Sequence, residues 1–173
     1  MNNNKKRIYL GLGSNTGDKE QTLMRAIDLL SLALGSQPTL SSIIESEPWG
    51  YESDNSYANC VAAFDTALTP TQLLDTTEAI EKQLGRTQKS INGVYSDRTI
   101  DIDILFYGDE IITTPRLTIP HPLLHKRDFV LSPMKEIAPG LVHPLLKATI
   151  EELHKQLLKR IKATTPASGK YFF

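Results

Sequence analysis

Between Asp97 and Gly108 the sequence reads DRTIDIDILFYG, and its alternation constrains the fold more than any other stretch. Isoleucines at 100, 102 and 104, followed by Phe106, favour an extended chain whose successive side chains point to opposite faces. Ile100, Ile102, Ile104 and Phe106 are then expected on one face, and Thr99, Asp101, Asp103, Leu105 and Tyr107 on the other. Two residues of rise put Asp101 and Asp103 about 7 Å apart on one side. Carboxylates that close repel each other, and aspartate is depleted in strands. The isoleucine face is expected to be core, and the acidic face to border a cleft where a divalent cation relieves the repulsion. Hard oxygen ligands suit Mg²⁺, which takes one or two carboxylates and leaves positions for water and substrate phosphates. The plainer alternative is a half-solvated strand whose aspartates pair with Lys or Arg.

The rest of the chain supplies a setting for that strand. Residues 8–12 read as a first strand, and Asp18 with Gln21 opens a helix. Leu23, Ala26, Ile27, Leu30 and Leu34 recur at helical spacing until Gly35 can stop it. Residues 39–46 and 57–65 read as strands separated by a loop. Thr69 with Gln72 starts a second helix, with Pro70 at its first position and Leu73, Leu74, Ile80 and Leu84 facing the core. Residues 86–97 are polar and basic and read as an exposed, mobile loop. After the acidic strand come a short hairpin partner at 110–114 and a Pro- and His-rich loop at 115–126. A short Pro-interrupted helix at 129–137 and a last helix, capped by Thr149 and Glu152, follow. The order strand, helix, strand, strand, helix, strand predicts an antiparallel-rich α+β sandwich with helices on one face.

Composition narrows the function classes. Of 173 residues, 40% are apolar and 23% charged, as in a globular domain with a real core. A net charge of −1 offers no global attraction to nucleic acid or membrane, so an anionic ligand must be held locally. Arg86, Lys89, Arg98, Arg116, Lys126 and Arg127 flank the acidic strand or its following loops. Carboxylates that hold a cation, framed by basic residues, are what phosphoryl transfer requires. Cys60 is the only cysteine, and it reads as an inert core thiol in a reducing cytosol. The N-terminus has too short an apolar run for a signal peptide, and no stretch nears the roughly 18 apolar residues of a membrane span. The expectation is one cytoplasmic catalytic domain over 1–173, with its core at about 7–162 and a loose C-terminal tail.

Other motifs weigh less. GLGSNTG at 11–17 has one residue too many for G-x-G-x-x-G and lacks the lysine of a P-loop, so it reads as a turn that shapes a cleft edge. His121 and His125 are four apart, but Pro120 and Pro122 oppose a helix there, which argues against zinc. His143 and His154 read as surface residues.

DRTIDIDILFYG followed by IPHPLLHKRDFVLSPMKEIAP resembles the signature of the 6-hydroxymethyl-7,8-dihydropterin pyrophosphokinases of folate biosynthesis. YLGLGSNTGD and the SEPWG…YANCV segment resemble the same family, and the matching stretches span roughly 8–141. The resemblance implies a ferredoxin-like α/β sandwich, a largely antiparallel sheet with helices packed on it. It also implies transfer of diphosphate from ATP to the pterin hydroxymethyl group, with release of AMP. Asp101 and Asp103 match the metal-binding aspartates, with two Mg²⁺ ions expected. These two, with Arg98 and Arg86, are the implied catalytic residues. Glu81, Lys89, Arg98, Ile104, Arg116, Thr118, His121 and Arg127 match nucleotide contacts. Ser46, Trp49, Tyr57, Asn59, Tyr95 and Phe129 match the pterin pocket. Arg86 and the loop behind it match a mobile lid. Departures fall mostly there and in the pterin loop: Gln88 replaces an arginine, Tyr95 a tryptophan, Glu47 a proline, Trp49 a leucine and Pro122 an aromatic residue, while Lys89 is a candidate to supply the charge Gln88 lacks. The implied partners are the two small substrates, with no nucleic acid or membrane, and a monomer. A metal-dependent phosphohydrolase and a non-catalytic binding module are the rival readings.

Overall fold

The computed structural model describes residues 4–47, 56–85 and 100–164. Its elements are strand β1 (Lys6–Ser14), helix α1 (Lys19–Leu34), strands β2 (Thr39–Leu40), β3 (Ile44–Ser46) and β4 (Tyr57–Thr66), and helix α2 (Pro70–Gln83). Then come strands β5 (Asp101–Tyr107), β6 (Ile112–Thr113) and β7 (Thr118–Ile119), and helices α3 (Asp128–Ile137) and α4 (Ile150–Thr164).

Local chemistry sets most of these ends. Asp18 accepts the Gln21 N–H at the start of α1, and Gly35 closes it in the left-handed conformation (φ 66°) that glycine adopts without a Cβ penalty. Thr69 and Gln72 form a full reciprocal capping box on α2. Thr149 accepts the Glu152 N–H ahead of α4. The expected second strand is split, because residues 41–43 leave the ladder between β2 and β3.

β1 is the centre of the sheet. It pairs antiparallel with β4 on one side and β5 on the other, and β2 and β3 continue the sheet beyond β4. With β2 and β3 counted as one strand, this is the ferredoxin-like order. The expected hairpin between β5 and 110–114 does not form. Ile112 and Thr113 pair instead with Ile119 and Thr118, in a separate two-stranded ribbon.

Two apolar layers cover the sheet, so helices lie on both faces and not on one. The first joins Ile8, Leu10 and Leu12 of β1, Ala58, Cys60, Ala62 and Phe64 of β4, and Ile102 and Ile104 of β5 to the buried faces of α1 and α2. The second joins Val61, Leu105 and Phe106 to Val130, Leu131 and Met134 of α3 and Ile150, Leu153, Leu157 and Ile161 of α4. The C-terminal helices thus use the sheet face that the strand pattern left half-polar.

A β-bulge separates the two layers on β5. Leu10 pairs with Ile104 while Tyr9 pairs with Phe106, so Leu105 is the extra residue. Beyond it the alternation inverts. Phe106 joins the α3–α4 layer and Tyr107 the α1–α2 layer, opposite to the uninterrupted pattern. The inversion aims the Tyr107 hydroxyl at the Leu68 carbonyl, to which it donates. His143 and His154 are not surface residues. His143 is buried, accepts the Leu145 and Leu146 N–H groups at Nδ1 and packs edge-on against Phe106. His154 turns inward to Asp128.

Two outcomes test this packing. Tyr107→Phe strands the Leu68 carbonyl and is expected to cost about 1–2 kcal/mol, seen as a lower urea midpoint at unchanged slope; an unchanged midpoint would contradict the inverted register. Burial pushes the Cys60 thiol up to about 12, so Ellman's reagent at about pH 8 should label it only as fast as the protein unfolds.

Candidate functional site

The strand period that builds the core on one face of the sheet builds a cleft on the other. Read across the ladder, Asn59 of β4 pairs with Gly13 of β1, which pairs with Asp101 of β5. Two residues along, Val61 pairs with Gly11, which pairs with Asp103. Both rows lie on one face, and in each the central position is a glycine. The middle strand therefore contributes backbone alone, and a trough runs between the side chains of β4 and those of β5.

That trough is the floor of an open, concave cleft, the kind of surface on which small-molecule sites are built. Gly11 and Gly13 line the floor, and Ser46, Glu47, Tyr57, Asn59, Asp101, Asp103, Arg127, Phe129 and Val130 stand around it. Gly13 is glycine for a steric reason. A Cβ there would lie 3.1 Å from Asn59 Oδ1 and 3.3 Å from Tyr57 Cδ1, closer than ordinary contact. Asn59 is buried, and its amide donates to Ser46 Oγ at 2.7 Å. This fixes the face the carboxamide turns to the cleft.

The acidic wall is held differently. Asp103 Oδ2 lies 3.8 Å from Arg127 Nη1 and 4.0 Å from His121 Nε2. His121 Nδ1 accepts the Leu123 N–H, so the ring proton sits on Nε2, toward Asp103. Burial pushes the imidazole down to about 4, helped by the Arg127 cation and opposed by Asp101. At neutral pH His121 is therefore an uncharged donor, and Arg127 carries the positive charge. The Arg127 guanidinium also lies 5.6 Å from the centre of the Phe129 ring, which joins the charged wall to the aromatic one.

No group of three or more His, Cys, Asp or Glu side chains able to cage a metal occurs among the described residues. The donor set is two carboxylates on one face, opening to a cleft. It suits Mg²⁺, which completes its shell with water and phosphate oxygens.

The structure thus brings together seven of the expected residues, namely Ser46, Tyr57, Asn59, Asp101, Asp103, Arg127 and Phe129, with His121 beside Asp103. Four others do not line the cleft. Glu81 is buried, and its carboxylate accepts the Ile102 N–H at 2.9 Å, tying α2 to the strand between the two aspartates. The Ile104 side chain is core. Arg116 is exposed and bound to Asp75 (2.9 Å) and Glu78 (3.6 Å) of α2, and Thr118 is exposed on β7. Trp49, Arg86, Lys89, Tyr95 and Arg98, with Gln88, lie outside the described residues. Sequence reasoning missed Gly11 and Gly13 as the floor. The signal was there, in two glycines spaced i, i+2 within a strand, where glycine is otherwise unfavourable.

Comparisons with known proteins identify the family. The family model described as 7,8-dihydro-6-hydroxymethylpterin-pyrophosphokinase (HPPK) matches residues 9–139. The 2-amino-4-hydroxy-6-hydroxymethyldihydropteridine pyrophosphokinase of Porphyromonas gingivalis is 47% identical over 138 residues, covering 79% of this chain and 93% of that protein. The enzyme of the same name from Aquifex aeolicus is 40% identical, over 84% and 88% of the two chains. Among solved structures, a Plasmodium falciparum HPPK-DHPS superposes with a TM-score of 0.74 at 18% identity. The match covers 92% of this chain and 43% of that longer one, and it shows the shared fold. The chain belongs to the 7,8-dihydro-6-hydroxymethylpterin-pyrophosphokinase family.

Proposed function

We infer that the chain transfers a pyrophosphoryl group from ATP to hydroxymethyldihydropterin, the pyrophosphokinase step of folate biosynthesis. The observation that carries the site assignment is the pair of cross-strand rows. They set a neutral wall of Asn59, Tyr57 and Ser46 and a charged wall of Asp101, Asp103 and Arg127 on opposite sides of a glycine floor.

The neutral wall suits the pterin. Asn59 presents an amide to the donor and acceptor edge of the ring, and Tyr57 and Phe129 offer aromatic faces for stacking. The charged wall suits the triphosphate. Arg127 is a planar fork for phosphate oxygens, and neutral His121 adds an N–H donor. Asp101 and Asp103 would hold Mg²⁺, taken as two ions by family resemblance. The chemistry Mg²⁺ would supply there is neutralisation of charge on the group in transfer.

In the reaction the pterin hydroxymethyl oxygen bonds to the β-phosphorus, and the bond from that phosphorus to the α–β bridging oxygen breaks. AMP leaves with the electron pair. Asp101 shares its row with Asn59, so it stands nearer the pterin and takes the hydroxyl proton. Asp103, beside Arg127 and His121, stands at the phosphates. Such transfer asks little covalent chemistry of the protein, and alignment across the trough supplies most of the rate. Arg86 and Arg98 are assigned to the phosphates and Arg86 to a lid by family resemblance alone. A monomer of one catalytic domain is assigned by family resemblance. No described helix is long and apolar enough to cross a membrane. We place the enzyme in the cytoplasm, where ATP is supplied and the lone thiol of Cys60 stays reduced.

The deciding assay is AMP release from ATP and the pterin in Mg²⁺. Asp101→Asn and Asp103→Asn should each cut kcat/KM by about 10²–10³-fold while the folded protein persists; undiminished turnover in either variant would refute the assignment. ATP breakdown that ignores the pterin would favour a phosphohydrolase instead. Gly13→Ala tests the neutral wall. It should raise the pterin KM about tenfold, equivalent to roughly 1.4 kcal/mol, with the ATP KM unchanged. Equal effects on both substrates would show that the glycine does not serve the pterin wall.

A further inference from the structure

The start of α3 lies between two walls of the cleft, yet it has no cap of its own. Arg127 occupies the N-cap position and makes no side-chain capping hydrogen bond. Helix starts of this kind leave N–H groups without partners and fray. Here the residues on either side of the first turn are the ones the cleft uses. Arg127 reaches Asp103, and Phe129 forms a wall.

The support comes from the C-terminal helix. His154 of α4 is largely buried, with its side chain 12% exposed, and its Nε2 lies 2.9 Å from Asp128 Oδ1. A carboxylate oxygen accepts, so Nε2 carries the proton. Nδ1 is buried and has no hydrogen-bond partner among the described residues, where Asp128 is the ring's hydrogen-bond contact. Asp128 is the first residue of α3, flanked by Arg127 and Phe129 in sequence. Around this hydrogen bond the helices meet through Val130, Leu131 and Met134 on one side and Ile150, Leu153 and Leu157 on the other. Residue 154 lies outside the 9–139 matched by the family model.

We propose that His154 is a positioning residue of this enzyme: through its hydrogen bond to Asp128 it fixes the first turn of α3, and with it Arg127 and Phe129. The contact satisfies no backbone N–H of that turn, but it ties the uncapped turn to a neighbouring helix. It places part of the site's geometry in a segment that touches neither substrate. The proposal rests on the functional reading for its kinetic consequence but not for its structural one.

The test uses His154→Ala, His154→Gln, Asp128→Ala and the double variant His154→Ala/Asp128→Ala in the full chain. The Val130 and Leu131 N–H groups both donate to the Arg127 carbonyl, whereas the Ala138 N–H donates to Met134 at the far end of α3. In His154→Ala, hydrogen exchange at Val130 and Leu131 should quicken about tenfold while Ala138 holds its rate. KM for both substrates should rise about fivefold with kcat within a factor of two, well short of the roughly 10²-fold that an ångström of misplacement can cost. His154→Gln, which keeps a donor near Nε2, should recover most of both effects. The double variant should be no worse than the worse single one. Uniform exchange along α3, wild-type KM values in a folded His154→Ala protein, or additive single effects would each overturn the proposal. Should the wild type release no AMP, the functional reading fails on its own, and the exchange pattern alone decides the positioning role.

Discussion

Everything in the site depends on hydrogen bonding of β1 to a partner on both edges. A central antiparallel strand fixes the register of its two neighbours, and register fixes which side chains share a face. Asn59 and Asp101 meet across Gly13, and Val61 and Asp103 across Gly11, because each pair is locked to the same β1 residue. A slip of one residue in either ladder would send the aspartates or the asparagine into the α1–α2 core. The register is protected by what lies beneath it. Leu12, Cys60 and Ile102 form the intervening row on the opposite face, all buried, and Glu81 holds the Ile102 N–H from α2. The site is thus the reverse side of the core.

The glycine floor gives that arrangement its chemistry. Side chains at 11 and 13 would fill the space between the two walls, and a Cβ at 13 would press on Asn59 and Tyr57. Glycine is costly inside a strand, since it loses backbone freedom and packs nothing. Here that cost is offset by two long flanking ladders, which pair all nine residues of β1 with β4. The outcome is a trough whose two sides differ in dielectric character. One side offers amide and aromatic groups for a flat heterocycle. The other concentrates two carboxylates and a guanidinium, with a histidine kept uncharged by burial, a set of groups that would suit phosphates and a divalent ion.

How much of this was legible in the sequence follows from the range of each interaction. The alternation from Ile100 to Ile104 and the caps at Asp18, Thr69 and Thr149 are local, and the chain states them directly. The bulge at Leu105 is not local. It needs β1 as a partner, and leucine carries no bulge signal, so Phe106 and Tyr107 were assigned to the wrong faces. Burial of His143 and His154 depends on α3 and α4 folding back over the second face, which no short window encodes. Glu81 is the instructive case. The family resemblance implied a nucleotide contact for it; its carboxylate accepts the Ile102 N–H of β5, a contact that depends on how α2 crosses the strand. The expectation of a metal side is legible in the sequence because paired carboxylates in a strand have few purely structural explanations. The glycines were passed over because they were weighed as a phosphate-loop motif and not as two vacancies on one face.

A trough with unlike walls also bears on why this site would transfer rather than hydrolyse. A phosphohydrolase needs the charged wall alone, because water requires no pocket. In this chain the neutral wall is as carefully built as the charged one: Asn59 is buried and oriented by Ser46, Gly13 is kept bare to admit it, and Tyr57 and Phe129 flank the same floor. Burying an amide without a use for its remaining groups is unfavourable. An acceptor that pairs with that amide and excludes water gives the arrangement a purpose. Phe129 and Arg127 sit two residues apart on the start of α3 and serve opposite walls. Under the proposed function any shift of that turn would move both substrates' contacts together, so its anchorage from α4 would bear on catalysis as well as on stability.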